Sequence, residues 1–376
     1  MKLIYVTVFE GNTSNSTGIY ETQVLQFLSE LQKQCDVTLI PIVASTLSDK
    51  FSLLLNSYDV KYHILKLKRK RHLFSNNSII YFRNFINSLV DYDSIIMCRE
   101  VLSAAFVLRA KTGAKLVLDK RGIPYLESLT FKNKCFINRF ARYIIFKIIE
   151  KYVLCNFVYY RFVSNNMAAY YLKQTKIKAY IVQPTGVSYS NISINKYNLN
   201  KKWRNIDSFK IIYSGGKGSY HKFSEILKFM CEVNFHYSKF EFYIFSYFTN
   251  DELIKYKNEY PFIHFYNNLS HDCLVQFLSN SHFGICFRDE SLINSVSAPT
   301  KVSEYLAFNL KVVYSGSIGL IDDFKKFLSD EFIINKFNFS DDYIRSFNVS
   351  NKVKKYLNFH DQAKSLINFL YQRVLN

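Results

Sequence analysis

The sequence predicts an α/β protein with two domains, each built on a parallel β-sheet. The chain has 376 residues, 49% of them hydrophobic, which is enough for two buried cores. Short apolar runs alternate with helix-like segments in both halves, and a polar segment interrupts this alternation near the middle. Parallel strands joined by helices place ligands at the carboxyl ends of the strands, so we expect both sheets to face a central cleft.

The first domain is predicted over residues 1–184. Its strands are short β-branched or aromatic runs, and two helices, 19–34 and 101–111, have apolar residues at helical spacing. The predicted strands cover residues 3–9, 37–43, 62–67, 94–98, 115–119, 157–163 and 180–183.

Residues 185–208 are rich in Asn and Ser and have little apolar periodicity, which predicts an interdomain linker. The second domain is predicted over residues 209–340, and helices over 341–376 are expected to cross back to the first domain. Its predicted strands are 209–213, 240–245, 262–266, 282–287 and 311–314, with helices at 222–234, 270–280 and 299–309.

The positive charge is concentrated in the first half. The net charge is +19, and residues 1–190 carry 26 Lys and Arg against 12 Asp and Glu. Such a field favours anionic lipid, nucleic acid or phosphorylated ligands, and does not choose among them. The densest run, residues 66–72, is interpreted equally well as a solvated loop or as a lipid contact.

Two glycine turns follow the opening strands of the domains. In the first, Gly11 to Gly18 lies between a strand and a helix, where an ordinary turn and a ligand loop are equally compatible with the sequence. In the second, Gly215 and Gly216 precede Lys217, and we expect this turn to hold a diphosphate. Neither turn has the spacing of a dinucleotide fingerprint or a Walker A loop.

Residues 297–307 form the most specific pattern. Pro299 stands where a first helical turn begins, and Lys301 and Glu304 are spaced to share one helix face. With Arg288 after the preceding strand, two cations and a carboxylate suit a nucleoside diphosphate, the carboxylate accepting from ribose hydroxyls. The alternative is a surface ion pair.

Arg99, Asp119 and Arg121 end neighbouring strands of the first domain. They are expected at its cleft edge, with a loop-stabilising ion pair as the alternative. No metal site is predicted: Asp91 and Asp93 precede their strand, and the seven cysteines form no CxxC pair. Scattered thiols are typical of a reducing compartment.

At these residues the chain resembles the GT-B glycosyltransferases, particularly family 4 of bacterial surface polysaccharide assembly. Residues 209–319 are similar to the donor domain, including the loop with Ser317 and Gly319. Residues 92–127 and 163–187 are similar to the acceptor domain. Where the family has Glu-x7-Glu, Glu304 matches the second Glu and Val296 replaces the first.

The resemblance implies two Rossmann-like domains and transfer from a nucleotide-sugar to a saccharide or polyprenyl-linked acceptor, with retention and without metal or cofactor. Lys217, Arg288 and Lys301 would stabilise the leaving diphosphate. The other implied donor contacts are Gly215, Gly216, Glu304, Ser317 and Gly319, and the implied acceptor-side residues are Gly11, Gly18, Arg99, Asp119 and Arg121.

A cytoplasmic protein is expected, peripheral at the inner face of the plasma membrane through its basic, aromatic segments 66–72 and 131–151. No apolar run approaches the length of a membrane span. Two alternatives remain: a nucleotide-sugar epimerase of the same fold, and a basic nucleic-acid-binding protein. No nucleic-acid-binding signature is present, so a nucleic-acid partner is not expected.

Overall fold

The structure is a computed structural model. It describes residues 1–10, 17–44, 48–130, 135–189, 208–218, 221–267, 271–325, 333–334 and 351–375. Two compact units are present. Unit 1 comprises Met1–Ser188 and Phe359–Asn376, and unit 2 comprises Tyr189–Asn358.

Unit 1 contains an eight-stranded sheet in which every pair is parallel, with the order β3-β2-β1-β5-β6-β7-β8 and with β4 also pairing with β2. The strands are β1 (Lys2–Val8), β2 (Asp36–Ala44), β3 (Lys61–Tyr62), β4 (Leu65–Leu67), β5 (Ser94–Arg99), β6 (Lys115–Lys120), β7 (Tyr159–Phe162) and β8 (Ala179–Val182).

The helices of unit 1 cover the sheet. They are α1 (Thr17–Tyr20), α2 (Gln26–Gln32), α3 (Asp49–Asn56), α4 (Asn76–Leu89), α5 (Glu100–Ala110), α6 (Pro124–Glu127), α7 (Phe136–Asn156) and α8 (Asn165–Leu172), with a π-helical turn Glu21–Leu25 between α1 and α2 and a 3₁₀ helix at Lys70–Phe74. Ser48, Ser75 and Ser164 cap α3, α4 and α8 by accepting from backbone N–H groups.

The single strand predicted over 62–67 is wrong in one respect, because the structure has two short strands, β3 and β4. Both pair with β2 in one register, Leu39 opposite Tyr62 and Ile42 opposite Leu65. Pro41 of β2 faces the break and has no N–H to donate to the ladder.

The last described helices divide between the units. After α15 (Asn351–Leu357), α16 (Phe359–Phe369) and a π-helical turn (Leu370–Leu375) belong to unit 1. The ring of Phe359 lies 5.4 Å from that of Phe27 in α2, and Gln183 Nε2 donates to the Gln362 carbonyl at 2.7 Å. The first ten residues of the predicted 341–376 helical segment lie outside the described residues.

Unit 2 contains a six-stranded parallel sheet of order β11-β10-β9-β12-β13-β14. Its strands are β9 (Phe209–Ser214), β10 (Phe240–Ser246), β11 (Ile263–Asn267), β12 (Phe283–Phe287), β13 (Lys311–Ser315) and β14 (Ile333–Ile334). Its helices, besides α15, are α9 (Phe223–His236), α10 (Asn250–Glu259), α11 (His271–Asn280), α12 (Leu292–Ser295), α13 (Thr300–Ala307) and α14 (Gly319–Phe324).

The predicted strands 209–213, 240–245, 282–287 and 311–314 match β9, β10, β12 and β13 within about a residue. In the described part of the chain, no helix is both long enough and apolar enough to traverse a bilayer.

Candidate functional site

The turn after β9 is built for close approach. Gly215 has φ of +144°, a conformation that L side chains rarely adopt, and its N–H donates to the Phe245 carbonyl at 2.9 Å. A Cβ at Gly215 would lie 2.5 Å from Lys301 Nζ. The backbone angle therefore requires glycine, and a side chain at this position would also displace the Lys301 ammonium.

Helix α13 supplies Lys301 and Glu304, each only 8% exposed. Tyr305 fixes the helix against the sheet: its ring packs onto Gly284, and its hydroxyl accepts from the Ser214 N–H at 3.0 Å. Lys301 Nζ lies over the Tyr213 ring, 4.1 Å from the centroid. The interpretation of Lys301 and Glu304 as a surface ion pair does not fit this burial.

Arg288 follows β12 and lies close to a histidine that the sequence analysis missed. The Arg288 Nη1 and His221 Nδ1 atoms are 2.9 Å apart. Because a guanidinium can only donate, His221 accepts through Nδ1 and carries its proton on Nε2. That Nε2 lies 3.5 Å from where a Cβ of Gly216 would be. Gly215, Gly216, His221, Arg288 and Lys301 thus meet at the carboxyl edge of the unit 2 sheet.

The electrostatics of this group favour a bound anion. Burial, with Arg288 adding to it, lowers the pKa of Lys301 to about 7 against the opposing effects of Cys286 and Glu304. Burial, Lys301 and Arg288 lower the pKa of His221 to about 2, so the imidazole is neutral. An anion placed among these nitrogens would restore the Lys301 ammonium, because an opposite charge favours the charged form.

Three other predicted donor residues have surroundings of their own. Lys217 Nζ is paired with Glu252 at 2.6 Å and lies 4.5 Å from the Phe248 ring centroid. Ser317 lies in the loop between β13 and α14, and Gly319 is the first residue of α14. In the same loop, Gly316 has φ of +72°, and a Cβ there would lie 2.2 Å from the Arg288 carbonyl oxygen, so the position requires glycine.

In unit 1, Asp119 is the centre of a buried ionic cluster at the carboxyl edge of the sheet. Its carboxylate accepts from the Tyr5 hydroxyl and contacts Arg121 Nε at 2.9 Å, Arg161 Nη1 at 3.3 Å and Arg99 Nη1 at 4.0 Å. Burial opposes its ionisation, but the three guanidinium groups outweigh burial and lower the pKa of Asp119 to about 2. Asp119 is therefore a permanent anion that positions arginines.

The remaining predicted acceptor-side residues differ in their surroundings. Arg99 is buried, and donates to Glu10 and Gln23 at 2.7 Å each. Gly18 lies in α1, and a Cβ there would meet nothing within 4 Å, so no contact in the described chain requires glycine. Gly11 lies outside the described residues.

Metal ligands do not cluster in the part of the chain that the structure describes: no group of three His, Cys, Asp or Glu side chains could hold an ion there. Asp91 accepts from the Ser94 hydroxyl at 2.5 Å in the loop before β5. The Asp-x-Asp pattern at 91–93 thus belongs to a loop with a local structural role.

No protein-family model and no curated protein sequence matches the chain. Solved structures do. A sucrose-phosphate synthase from Thermosynechococcus elongatus is similar with a TM-score of 0.66 at 12% identity, over 99% of this chain and 98% of that one. The lipopolysaccharide outer core galactosyltransferase WaaB gives 0.61 at 12% identity over the whole of both chains.

A third similar structure is Anabaena HepE in complex with UDP and glucose, with a TM-score of 0.59 and 10% identity, over 100% of this chain and 96% of that one. At identities this low, the similarity shows a shared fold and does not show a shared activity. The prediction of an α/β fold with two parallel sheets is confirmed, and the chain has the GT-B fold that these glycosyltransferase structures share.

Proposed function

We propose that the protein is a glycosyltransferase that binds a nucleotide-sugar in unit 2 and transfers the sugar to an acceptor saccharide bound by unit 1. One observation carries the proposal. Lys301, Arg288 and His221 converge on the Gly215–Gly216 turn, and burial has lowered the pKa of Lys301 to about 7. Such a site is electrostatically incomplete until an anion such as a diphosphate binds.

The chemistry follows from where charge develops. When the glycosidic bond to the donor breaks, negative charge grows on the departing diphosphate. Lys301 and Arg288 would stabilise that charge from a buried, preorganised position, where such contacts are strongest. His221 Nε2–H is a further donor at the same turn, and Glu304 would accept from the ribose hydroxyls. Lys217, already paired with Glu252, is the weakest member of the proposed set.

Calorimetric titration with UDP, followed by a panel of UDP- and GDP-sugars, tests the donor site. We expect Arg288→Gln and Glu304→Gln to weaken nucleotide binding at least about tenfold, the loss of one charge-assisted contact in a closed site. Lys228→Gln, an exposed change on α9, is the matched control. Unaltered nucleotide affinity in both site variants would remove them from the site and the proposal with them.

For the acceptor we propose a lipid-linked saccharide of surface polysaccharide synthesis, with retention at the anomeric carbon. The resemblance to family 4 and the similarity to the fold of a lipopolysaccharide galactosyltransferase support this assignment. NMR of the first product formed decides the stereochemistry. The same spectra exclude an epimerase if the sugar of the unreacted nucleotide-sugar keeps its original configuration.

We further propose that unit 1 binds the anionic inner face of the membrane through α7. This 21-residue helix buries only Glu150, Val153 and Leu154. On the other side, apolar side chains recur at helical spacing and are 41–74% exposed. They are Ile137, Phe140, Ile144, Ile145 and Ile148.

Basic residues accompany this exposed apolar face. Lys147 and Lys151 are exposed on α7, and Arg142 is half-buried beside the Phe146 ring. Apolar side chains can enter the interface while long basic side chains reach headgroups, each contributing on the order of 1 kcal/mol near an anionic surface. The alternative in which this aromatic face packs into the domain core does not fit the exposure of the helix.

Sedimentation with vesicles tests the membrane proposal. We expect binding to vesicles of phosphatidylglycerol and phosphatidylcholine, little binding to pure phosphatidylcholine, and release by salt. Ile144→Ser with Ile148→Ser should abolish sedimentation, whereas Ile254→Ser, an equally exposed isoleucine on α10 of unit 2, should not. Equal binding to both vesicle types, or to neither, refutes it.

A further inference from the structure

The loop after β6 holds one arginine, Arg121, in a fixed position, and the outer end of its side chain pairs with none of the described residues. The Glu100 carboxylate accepts from the Arg121 N–H at 2.5 Å and from the Gly122 N–H at 2.7 Å. Glu100 itself has φ of +64°, an uncommon conformation for a residue with a side chain. The backbone of Arg121 is thus fixed by contacts unrelated to its own guanidinium.

The Arg121 side chain is 9% exposed, and only its Nε contacts a protein group, Asp119 Oδ1 at 2.9 Å. Its Nη1 and Nη2 atoms form no hydrogen bond with the described residues. Of the three guanidinium nitrogens, only Nε is fully buried without a hydrogen bond among these residues. The outer nitrogens of Arg121 therefore reach solvent at the carboxyl edge of the sheet, as a rigid fork of N–H donors with no acceptor among the described residues.

The surrounding charges leave this fork uncompensated. Three guanidinium groups, Arg99, Arg121 and Arg161, share two carboxylates, Asp119 and Glu10. Arg99 Nη1 and Arg161 Nη2 are also buried, and neither has a hydrogen-bond partner in the described part of the chain. Arg161 is fully buried, with its guanidinium 4.0 Å from the Phe27 ring centroid. It adds positive charge to the cluster but cannot itself contact a ligand in solvent.

Other carboxylates nearby are committed to a different cation. Successive residues of a strand point to opposite faces, so Lys120 lies on the other side of the sheet from Asp119. There Lys120 Nζ contacts Glu100 at 2.9 Å and Glu150 at 3.8 Å, and Glu150 also accepts from the Tyr171 hydroxyl. Burial is the largest cause of the raised pKa of Glu127 and of Glu150.

We propose that Arg121, with Arg99 behind it, binds an acidic group of the acceptor, a phosphate or a carboxylate, so that the enzyme selects acidic over neutral acceptor saccharides. The planar guanidinium presents two outer nitrogens, which suits bidentate contact with either oxyanion. This inference rests on the proposed function, since it names the acceptor class for unit 1, but it concerns residues that take no part in donor binding.

The test measures acceptor probes by calorimetry on protein saturated with UDP, so that the donor site cannot capture phosphate. The probes are glucose, glucuronate, glucose 1-phosphate and farnesyl diphosphate, which separate neutral, carboxylate, phosphomonoester and lipid diphosphate ligands. The variants are Arg121→Gln and Arg121→Lys, and Arg373→Gln, an exposed arginine of the last turn, is the control.

We expect at least one charged probe to bind at least about tenfold tighter than glucose, and Arg121→Gln to remove that preference. Because Arg121→Gln also withdraws a cation from Asp119, Arg121→Lys keeps that charge while losing the fork. The Arg121→Lys variant should bind the charged probe at least about threefold more weakly than the wild type does. Arg373→Gln should behave as wild type.

Two results would overturn the inference: no preference for any charged probe in the wild type, or a preference that survives both Arg121 variants. UDP affinity separates this failure from that of the proposed function. Normal UDP binding with no role for Arg121 removes only the acidic-acceptor assignment, whereas a wild-type protein that binds neither UDP nor any of the UDP- and GDP-sugars removes the glycosyltransferase proposal itself.

Discussion

Replacing Lys301 with Met should make unit 2 more stable while abolishing its response to nucleotide. The pKa of Lys301 is lowered from 10.5 to about 7 by burial and by Arg288. Between pH 7 and 10.5, a basic group with a lowered pKa in the folded state binds fewer protons in the folded protein than in the unfolded chain. The resulting cost is therefore fully present below pH 7, and disappears as the pH rises from 7 toward 10.5.

The magnitude follows from the shift. About 3.5 pKa units correspond to an upper limit of about 5 kcal/mol at neutral pH. Methionine fills a similar volume but loses the contact with the Tyr213 ring, worth up to about 2 kcal/mol when desolvated. We therefore expect a net gain of about 1–3 kcal/mol. For a unit of this size, each kcal/mol raises the melting temperature by roughly 2–4 °C.

Thermal unfolding at pH 6.5, 8 and 9.5, with and without UDP, is the assay. The melting temperature of the variant should exceed that of the wild type most at pH 6.5 and least at pH 9.5. UDP should raise only the wild-type melting temperature, because a ligand stabilises a protein only by binding its native state. Lys228→Met on exposed α9 is the matched control. A Lys301→Met protein that is less stable at pH 6.5, or that still responds fully to UDP, would refute the reasoning.

The remaining predictions concern pH, packing and metal ions. UDP affinity should fall by on the order of tenfold per pH unit above pH 7, because the bound diphosphate selects protonated Lys301; a flat calorimetric profile from pH 7 to 9 would contradict this. Gly284→Ala should lower the melting temperature, because the new methyl overlaps the Tyr305 ring, whereas Gly113→Ala, with nothing within 4 Å, should not. Sugar transfer should survive EDTA; complete loss restored by Mg²⁺ or Mn²⁺ would show that a metal takes part.

Local sequence patterns predicted the strands and the helices that surround the site. The glycine turn at Gly215 and the helix beginning after Pro299 are visible as patterns because their causes are local: backbone conformation and helix initiation. The same locality explains why spacing along the chain is enough to assign Lys301 and Glu304 to one helix face.

Contacts made by distant residues could not be predicted in this way. His221 becomes part of the site through Arg288, 67 residues later, and nothing in the neighbouring sequence marks it. Arg161, in the run YYRF, has a surface-like residue type, and its burial depends on Asp119, 42 residues earlier. The pairing of Lys217 is another distant contact: its position after the turn predicts a phosphate contact, and only the fold brings Glu252 on α10 to within 2.6 Å of its ammonium.

The two units handle buried cations in opposite ways, and this difference bears on how each would bind its ligand. In unit 1, Asp119 and Glu10 contact Arg121 and Arg99, so these arginines are held in place before any ligand arrives, although three guanidinium groups share the two carboxylates. In unit 2, burial and Arg288 lower the pKa of Lys301 to about 7, so that at and above neutral pH a bound anion would increase its charge. A fixed fork favours selection among acceptors by shape and charge, because it cannot adjust to a neutral ligand. An ammonium whose pKa is lowered by burial favours binding that strengthens as negative charge develops on the diphosphate. A contact that strengthens in this way accelerates the reaction, whereas a contact of constant strength only tightens substrate binding.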